Sequence, residues 1–170
     1  IGSHTVVALQ ERGYEVVVVD NLSNSRLDVL RLIKRLSGTE PQFYQADCTN
    51  REEMARVFDD VFTIDGIIHF AAHKAVGESV EKPLKYYRNN IDGLLTILEF
   101  AQAFGIQNFV FSSSATVYGT ASTFPVTEQT PLSAPTSPYG ATKLFAEQIL
   151  QSVANAYKEF RCLSLRYFNP

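Results

Sequence analysis

Long apolar runs are missing from this chain of 170 residues; Val16-Val17-Val18-Val19 is typical of the longest, and it is far too short to span a bilayer. Cysteine is scarce. Cys48 and Cys162 are far apart and belong to no metal or redox spacing, which excludes a disulfide scaffold and predicts a reduced, cytoplasmic compartment. Charge of one sign is not in excess, with 15 Lys and Arg against 18 Asp and Glu. No concentrated basic face is therefore available for phosphates, and no nucleic-acid partner is expected. Signal-peptide pattern, internal repeat and low-complexity segment are all lacking. What is present is a hydrophobic share of 45% in a length suited to one domain, which buries about 70% of the surface of its unfolded chain. The expectation is a soluble intracellular globular protein without a membrane partner, or a piece of one. Ile1 is no initiator Met, no strand precedes the first helix-like stretch, and the chain stops at Asn169-Pro170 just after a strand-like segment, so both ends are expected to be cut.

Two kinds of segment alternate. Short β-branched or aromatic runs at Glu15–Asp20, Gln42–Ala46, Gly66–Ala71, Asn108–Ser112 and Cys162–Tyr167 predict buried strands. Between them, helical spacing runs over Ser3–Arg12, Leu27–Leu36, Arg51–Phe62, Pro83–Phe104 and Pro138–Tyr157. Asn50 with Glu53 resembles a capping box, Ser137-Pro138 is an N-cap followed by Pro at the first helical position, and Gly105 stops its helix. Alternating strands and helices imply parallel strands with right-handed crossovers. Near-continuous apolar strands imply helices on both faces. The reading is an α/β domain with a doubly wound parallel sheet, helix first, its opening strand absent from this chain. The one long irregular stretch is Gly119–Thr136.

Ligands bind such sheets at the carboxyl ends of the strands, and several reactive side chains fall there. Asp20 ends the Val-rich strand and is followed by Asn21; a carboxylate there accepts hydrogen bonds from a ribose 2′-hydroxyl and repels a 2′-phosphate, favouring NAD over NADP. A plain turn at Asp20-Asn21 is the alternative. Gly2 would be the last glycine of a phosphate-binding loop. Ser112, Ser113 and Ser114 sit at the end of the Phe109–Phe111 strand. Tyr139 and Lys143, four residues apart, share one helix face. An ammonium beside a phenol favours the phenolate, and with a serine hydroxyl on the same oxygen the set can remove an alcohol proton while hydride leaves the same carbon. An ordinary surface Tyr–Lys pair is the competing reading; Ser114 and Asp20 together favour catalysis. His69 and His73 straddle a strand end with no third ligand, so no metal is expected. Arg26, Arg31, Lys34 and Arg35 interleave with Leu27, Leu30, Ile33 and Leu36 as the solvated face of a helix.

The segments Ile1–His4, Val19–Leu22, Ile68–Ala72, Lys74–Ser79, Ser112–Gly119, Tyr139–Lys143 and Leu165–Pro170 resemble the extended short-chain dehydrogenase/reductases, and among them the UDP-hexose 4-epimerases. Tyr-x-x-x-Lys marks the superfamily; KAVGES, SSSATVYG and LRYFNP together point to the epimerases. The resemblance implies a Rossmann-like NAD-binding domain over 1–170, incomplete at both ends, with the substrate domain mostly missing. It implies NAD-dependent epimerisation at C4 of a UDP-hexose (UDP-glucose and UDP-galactose) through a 4-keto sugar. Tyr139 would be the base, Ser114 its partner at the 4-hydroxyl, and Lys143 the holder of the nicotinamide ribose. Asp20 and Asn21 would bind the adenosine ribose, and Asp47 with Cys48 would border the adenine. Phe70, Ala71 and Lys74 would lie along the nicotinamide half and pyrophosphate, with Asn89 and Ser112 close by. Tyr167 and Phe168 would flank the reacting centre, and Asn169 and Lys74 would touch the nucleotide-sugar.

Ser114-Ala115-Thr116 lacks the Asp-Glu pair of the related 4,6-dehydratases, so dehydration is disfavoured. UDP-uronate decarboxylation or epimerisation, a dehydrogenase releasing its reduced cofactor, and a non-catalytic NAD-binding module remain alternatives. The family pairs into homodimers through the two long helices, and the apolar residues there (Leu94, Leu95, Leu98, Phe145, Ile149) suit internal packing equally well. The stretch by itself is expected to be inactive and weakly folded, because the absent strand would leave ladder groups on two neighbours unpaired.

Overall fold

A computed structural model describes residues 1–121 and 124–168. In chain order the elements are α1 (Gly2–Gln10), β1 (Val17–Val19), α2 (Val29–Ser37), β2 (Gln42–Tyr44), α3 (Arg51–Asp60), β3 (Ile67–His69), α4 (Val76–Glu81), α5 (Pro83–Tyr87), α6 (Gly93–Ala103), β4 (Asn108–Ser114), α7 (Pro138–Ala156) and β5 (Arg161–Tyr167). A wide five-residue turn of π type, Arg88–Asp92, joins α5 to α6, and a 3₁₀ turn, Ala115–Tyr118, follows β4.

All strand pairs are parallel, as alternating strands and helices require. The sheet comes in two parts: β1 pairs with β2, and β3, β4 and β5 pair in that order. Among the described residues β1 and β3 are each bonded on one side only. Seven register pairs join β4 to β5, from Asn108↔Arg161 to Ser114↔Tyr167, so their carboxyl ends finish level.

The main core lies where α3, α6 and α7 cover the sheet. Met54, Val57 and Phe58 of α3 meet Leu94, Ile97, Leu98 and Ala101 of α6, and Phe109 and Phe111 of β4 meet Ala146 and Leu150 of α7. The Phe58 and Phe100 rings stack at 4.9 Å. Leu94 and Leu98 are thereby committed to internal packing, whereas Leu95 and Phe145 are exposed. By contrast α1 buries no residue and α2 only Ile33.

Local signals set the boundaries. Asn50 caps α3 by accepting from the Glu52 and Glu53 amides. Glu53 answers through the Asn50 side-chain amide (2.8 Å) and the Asp47 N–H (2.8 Å), a variant of the reciprocal box. Ser137 Oγ accepts from Gly140 N–H at 3.2 Å, with Pro138 at the first helical position. α6 ends two residues before Gly105, whose φ of 68° only glycine adopts at no cost. The expected single helix Pro83–Phe104 is instead three pieces, because the wide turn carries Asn90 inward to polar partners described below.

Candidate active site

The carboxyl ends of the strands carry the reactive side chains. At β4, Ser114 begins the 3₁₀ turn and its Oγ accepts from the Thr116 N–H at 3.3 Å. The first turn of α7 lies against this turn: a Cβ built on Gly140 would sit 3.3 Å from Thr116 Cβ, so glycine permits the approach. Tyr139 and Lys143 occupy the first two turns of α7.

Lys143 is almost wholly buried. Its ammonium donates to the Ser112 carbonyl at 2.7 Å and lies 4.8 Å from the Phe111 ring centre and 5.9 Å from that of Tyr139. Burial pushes its pKa down to about 8. An ammonium has three donors, and Ser112 is its one hydrogen-bond acceptor among the described residues. A buried cation with donors to spare fits a hydroxyl-bearing ligand such as a ribose.

A second group collects at the ends of β1 and β2. Asp20 Oδ1 accepts from the Leu22 N–H (2.7 Å) and Ser25 Oγ (2.6 Å), and Leu22 takes a positive φ of 59° in that tight turn. Asn21 Nδ2 donates to Asp47 Oδ2 at 2.8 Å, and Asp47 Oδ1 accepts from the Thr49 N–H and hydroxyl. Burial raises the Asp47 carboxyl, but these hydrogen bonds outweigh it and the pKa is lowered. Cys48 beside them is pushed up to about 11, first by burial and then by the Asp47 and Asp20 charges, so its thiol stays protonated. The carboxylate of Asp20 begins a turn, and that turn lies at the carboxyl end of β1.

Gly2 opens α1 against Phe70, the residue after β3. A Cβ added to it would touch the Phe70 ring at 3.6 Å, an ordinary contact, so a methyl fits there and only a larger side chain would displace the ring. Ala71 and Lys74 are exposed on the same loop. Tyr167 stands level with Ser114 across the β4–β5 pair, and the exposed Phe168 ring lies 6.1 Å from Tyr118. Asn169 lies outside the described residues. His69 packs between Phe109 and Phe111, and burial lowers its pKa to about 3, so the ring is neutral.

Two residues that the sequence did not single out form polar contacts beside these groups. Asn90, beside the expected Asn89, is buried. Its Nδ2 donates to the His73 carbonyl (3.0 Å) and Thr142 Oγ1 (3.0 Å), and its Oδ1 accepts from the His73 N–H (2.8 Å) and Asn89 Nδ2 (2.9 Å). It thus ties the loop after β3 to the helix bearing Lys143. Glu147 stands four residues past Lys143 and holds Arg166 of β5. Its i+4 spacing from Lys143 was the only visible signal.

The chain as a whole, residues 1–170, matches the model of the NAD dependent epimerase/dehydratase family. It is 51% identical over its full length to the UDP-glucose 4-epimerase of Bacillus subtilis, covering 50% of that protein. The structure of UDP-glucose 4-epimerase from Bifidobacterium longum in complex with NAD+ and UDP superposes with a TM-score of 0.96 at 44% identity, over 99% of this chain and 50% of that one. The enzyme from Stenotrophomonas maltophila, with bound NAD and formylated UDP-arabinopyranose, gives a TM-score of 0.94 at 46% identity, again over 50% of its length. This chain therefore spans about half the length of the relatives it matches. Its strand order, its Tyr139–Lys143 helix and its full-length match agree, and the chain belongs to the NAD dependent epimerase/dehydratase family.

Proposed function

We propose that the protein containing this chain inverts C4 of a UDP-hexose, interconverting UDP-glucose and UDP-galactose, with NAD as its bound cofactor. The observation that carries the reading is the buried Lys143 ammonium, 5.9 Å from the centre of the Tyr139 ring and bonded to the Ser112 carbonyl two residues before Ser114. NAD bound at this edge supplies a hydride acceptor that becomes the donor for the return step.

The remaining chemistry belongs to the side chains. Tyr139 takes the 4-hydroxyl proton, and the Lys143 ammonium lies 5.9 Å from the centre of its ring. Ser114 donates to the same sugar oxygen and holds it toward Tyr139. When the sugar has turned over, Tyr139 returns the proton. Lys143 also holds the ribose on the nicotinamide side, while Asp20 and Asn21, braced by Asp47, hold the adenosine ribose. Gly2 and Phe70 border the pyrophosphate, with Lys74 nearby. Ala115 and Thr116 follow Ser114 where a dehydratase carries acids, which favours epimerisation over loss of water.

Activity is assigned to the longer protein, with 1–170 as its cofactor-binding part; the separate sheets argue that this part alone is weakly folded. A homodimer fits the open groove of about 450 Å³ lined by Leu84, Tyr87, Ile91, Phe145 and Ile149 together with the charged Arg88 and Asp92.

Proton NMR of UDP-galactose with the full-length protein tests the reading. Conversion to UDP-glucose without free NADH is expected, and Tyr139→Phe is expected to lower kcat by about 10²-fold or more through loss of the proton acceptor. Accumulation of free NADH would instead mark a dehydrogenase, and no turnover by a folded, NAD-loaded protein would mark a binding module.

A further inference from the structure

Behind the Ser114–Tyr139–Lys143 group lies a second polar cluster that the proposed reaction does not use. Glu147 Oε1 accepts from Arg166 Nε at 3.0 Å and from the Ser113 hydroxyl, and its Oε2 accepts from Arg166 Nη2 at 2.7 Å. Arg166 Nη1 donates to Tyr118 Oη at 2.9 Å, and the guanidinium lies 4.9 Å from the centre of the Tyr118 ring. The Glu147 and Arg166 side chains are 10% and 21% exposed, so solvent screens this pair far less than the surface pairs elsewhere.

Its location matters more than its strength. Tyr139, Lys143 and Glu147 follow at intervals of four along α7 and share one face. Lys143 grips Ser112 and Glu147 grips Ser113, so successive helix turns hold successive residues of β4 immediately before Ser114. Ser113 is level with Arg166, and Ser114 with Tyr167. Tyr118 ends the turn that Ser114 begins. Between that turn and α7, the described residues from Gly119 to Ser137 form no helix or strand that would fix the helix against the strand end.

We propose that Glu147 is a positioning residue: through Arg166 it keeps the ends of β4 and β5 and the Ala115–Tyr118 turn in register with the α7 face that carries Tyr139 and Lys143. The bidentate pair has one geometry, which is what holding a position requires. A buried pair adds little net stability over an apolar pair of equal size, because desolvation offsets its attraction. Its value here is placement, and this inference rests on the functional reading above.

The test uses the full-length, NAD-loaded protein. Glu147→Gln keeps the shape and leaves Arg166 without its counter-charge. It is expected to lower kcat by about 10- to 100-fold, as a displacement near 1 Å would, while KM for UDP-galactose stays within about threefold. Amide exchange at 114–118 and 139–143 is expected to quicken about tenfold and to stay unchanged elsewhere. The double variant Glu147→Met with Arg166→Met is expected to recover the thermal midpoint but not kcat. A Glu147→Gln protein with kcat within about twofold of the parent overturns the proposal, as does recovery of kcat together with the midpoint in the double variant. If the unmodified protein fails to epimerise UDP-galactose, the functional reading falls. Exchange then decides this proposal by itself: quickening at both segments sustains it, and unchanged exchange overturns it.

Discussion

Lys143 brings a positive charge into a place where only 4% of its surface meets solvent, and burial moves its pKa from the ordinary 10.5 down to about 8. In the unfolded chain the group binds its proton up to about pH 10.5, so between 8 and 10.5 the unfolded state holds more protons than the folded one. Stability therefore rises with pH across that window, and the full cost, about 3 kcal/mol from the shift in pKa, is present below pH 8. Lys143→Met removes the cost. Urea titrations of the cofactor-free full-length protein are expected to show the variant more stable than the parent by up to about 3 kcal/mol at pH 7, with the gap narrowing from pH 8 and closing only above about pH 10.5. A constant gap would mean the ammonium is solvated. Activity should move the other way: the variant is inactive, and the parent loses kcat on an alkaline limb at or above pH 8 as the charge beside Tyr139 is lost.

At the scale of elements, α7 is set by its first turn. Ser137 is buried, and its hydroxyl meets the Gly140 amide, which has no other partner within the helix. Ser137→Ala is expected to destabilise the protein by about 1 kcal/mol, a fall of about 2–4 °C in thermal midpoint for a domain this size. Because Tyr139 lies two residues on, kcat is expected to fall more than that loss of stability would suggest. A scanning calorimeter and an initial-rate assay on one preparation separate the two effects.

That cap was legible in the sequence, and so were all five strands, since each is a short apolar run with one meaning in an alternating α/β pattern. Strand ends shifted by up to a few residues, as for Gly66–Ala71 against the observed Ile67–His69, because ladder pairing rather than composition decides where a strand stops. The break in Pro83–Phe104 was not legible. It arises from Asn90 reaching His73 and Thr142, residues 17 and 52 positions away in the chain. Glu147 was missed for the same reason: its partner Arg166 is 19 residues away, and nothing local marks the pair. Tyr139, Lys143, Ser114 and Asp20 were visible because helix spacing and strand ends are local features.

For the whole molecule, the distribution of buried surface is uneven. The core contains eleven buried residues of α3, α6, α7 and β4, among them Phe109, Leu94 and Leu150, together with Ala46 and Ile106, and Val19 and Tyr44 of β1 and β2 pack at its margin. The opposite end holds α1, with no buried residue, and α2, with Ile33 alone, packed mainly on each other. β1 and β2 form a pair of three residues each, and a two-stranded pair is marginal without further cover. Local opening costs least where few apolar contacts must break. Hydrogen exchange of the 170-residue chain is therefore expected to show amides of α1, β1 and α2 exchanging at least about tenfold faster than those of α6, α7 and β4, with β2 between them because Tyr44 and Ala46 join the core. NAD should narrow the difference, since Asp20 and Asn21 stand at the end of β1 while Lys143 stands on α7, and one ligand spanning both couples the weak part to the strong one. Uniformly slow exchange without ligand would mean the two sheets already unfold as one unit, and the weak folding assigned to this part would be wrong.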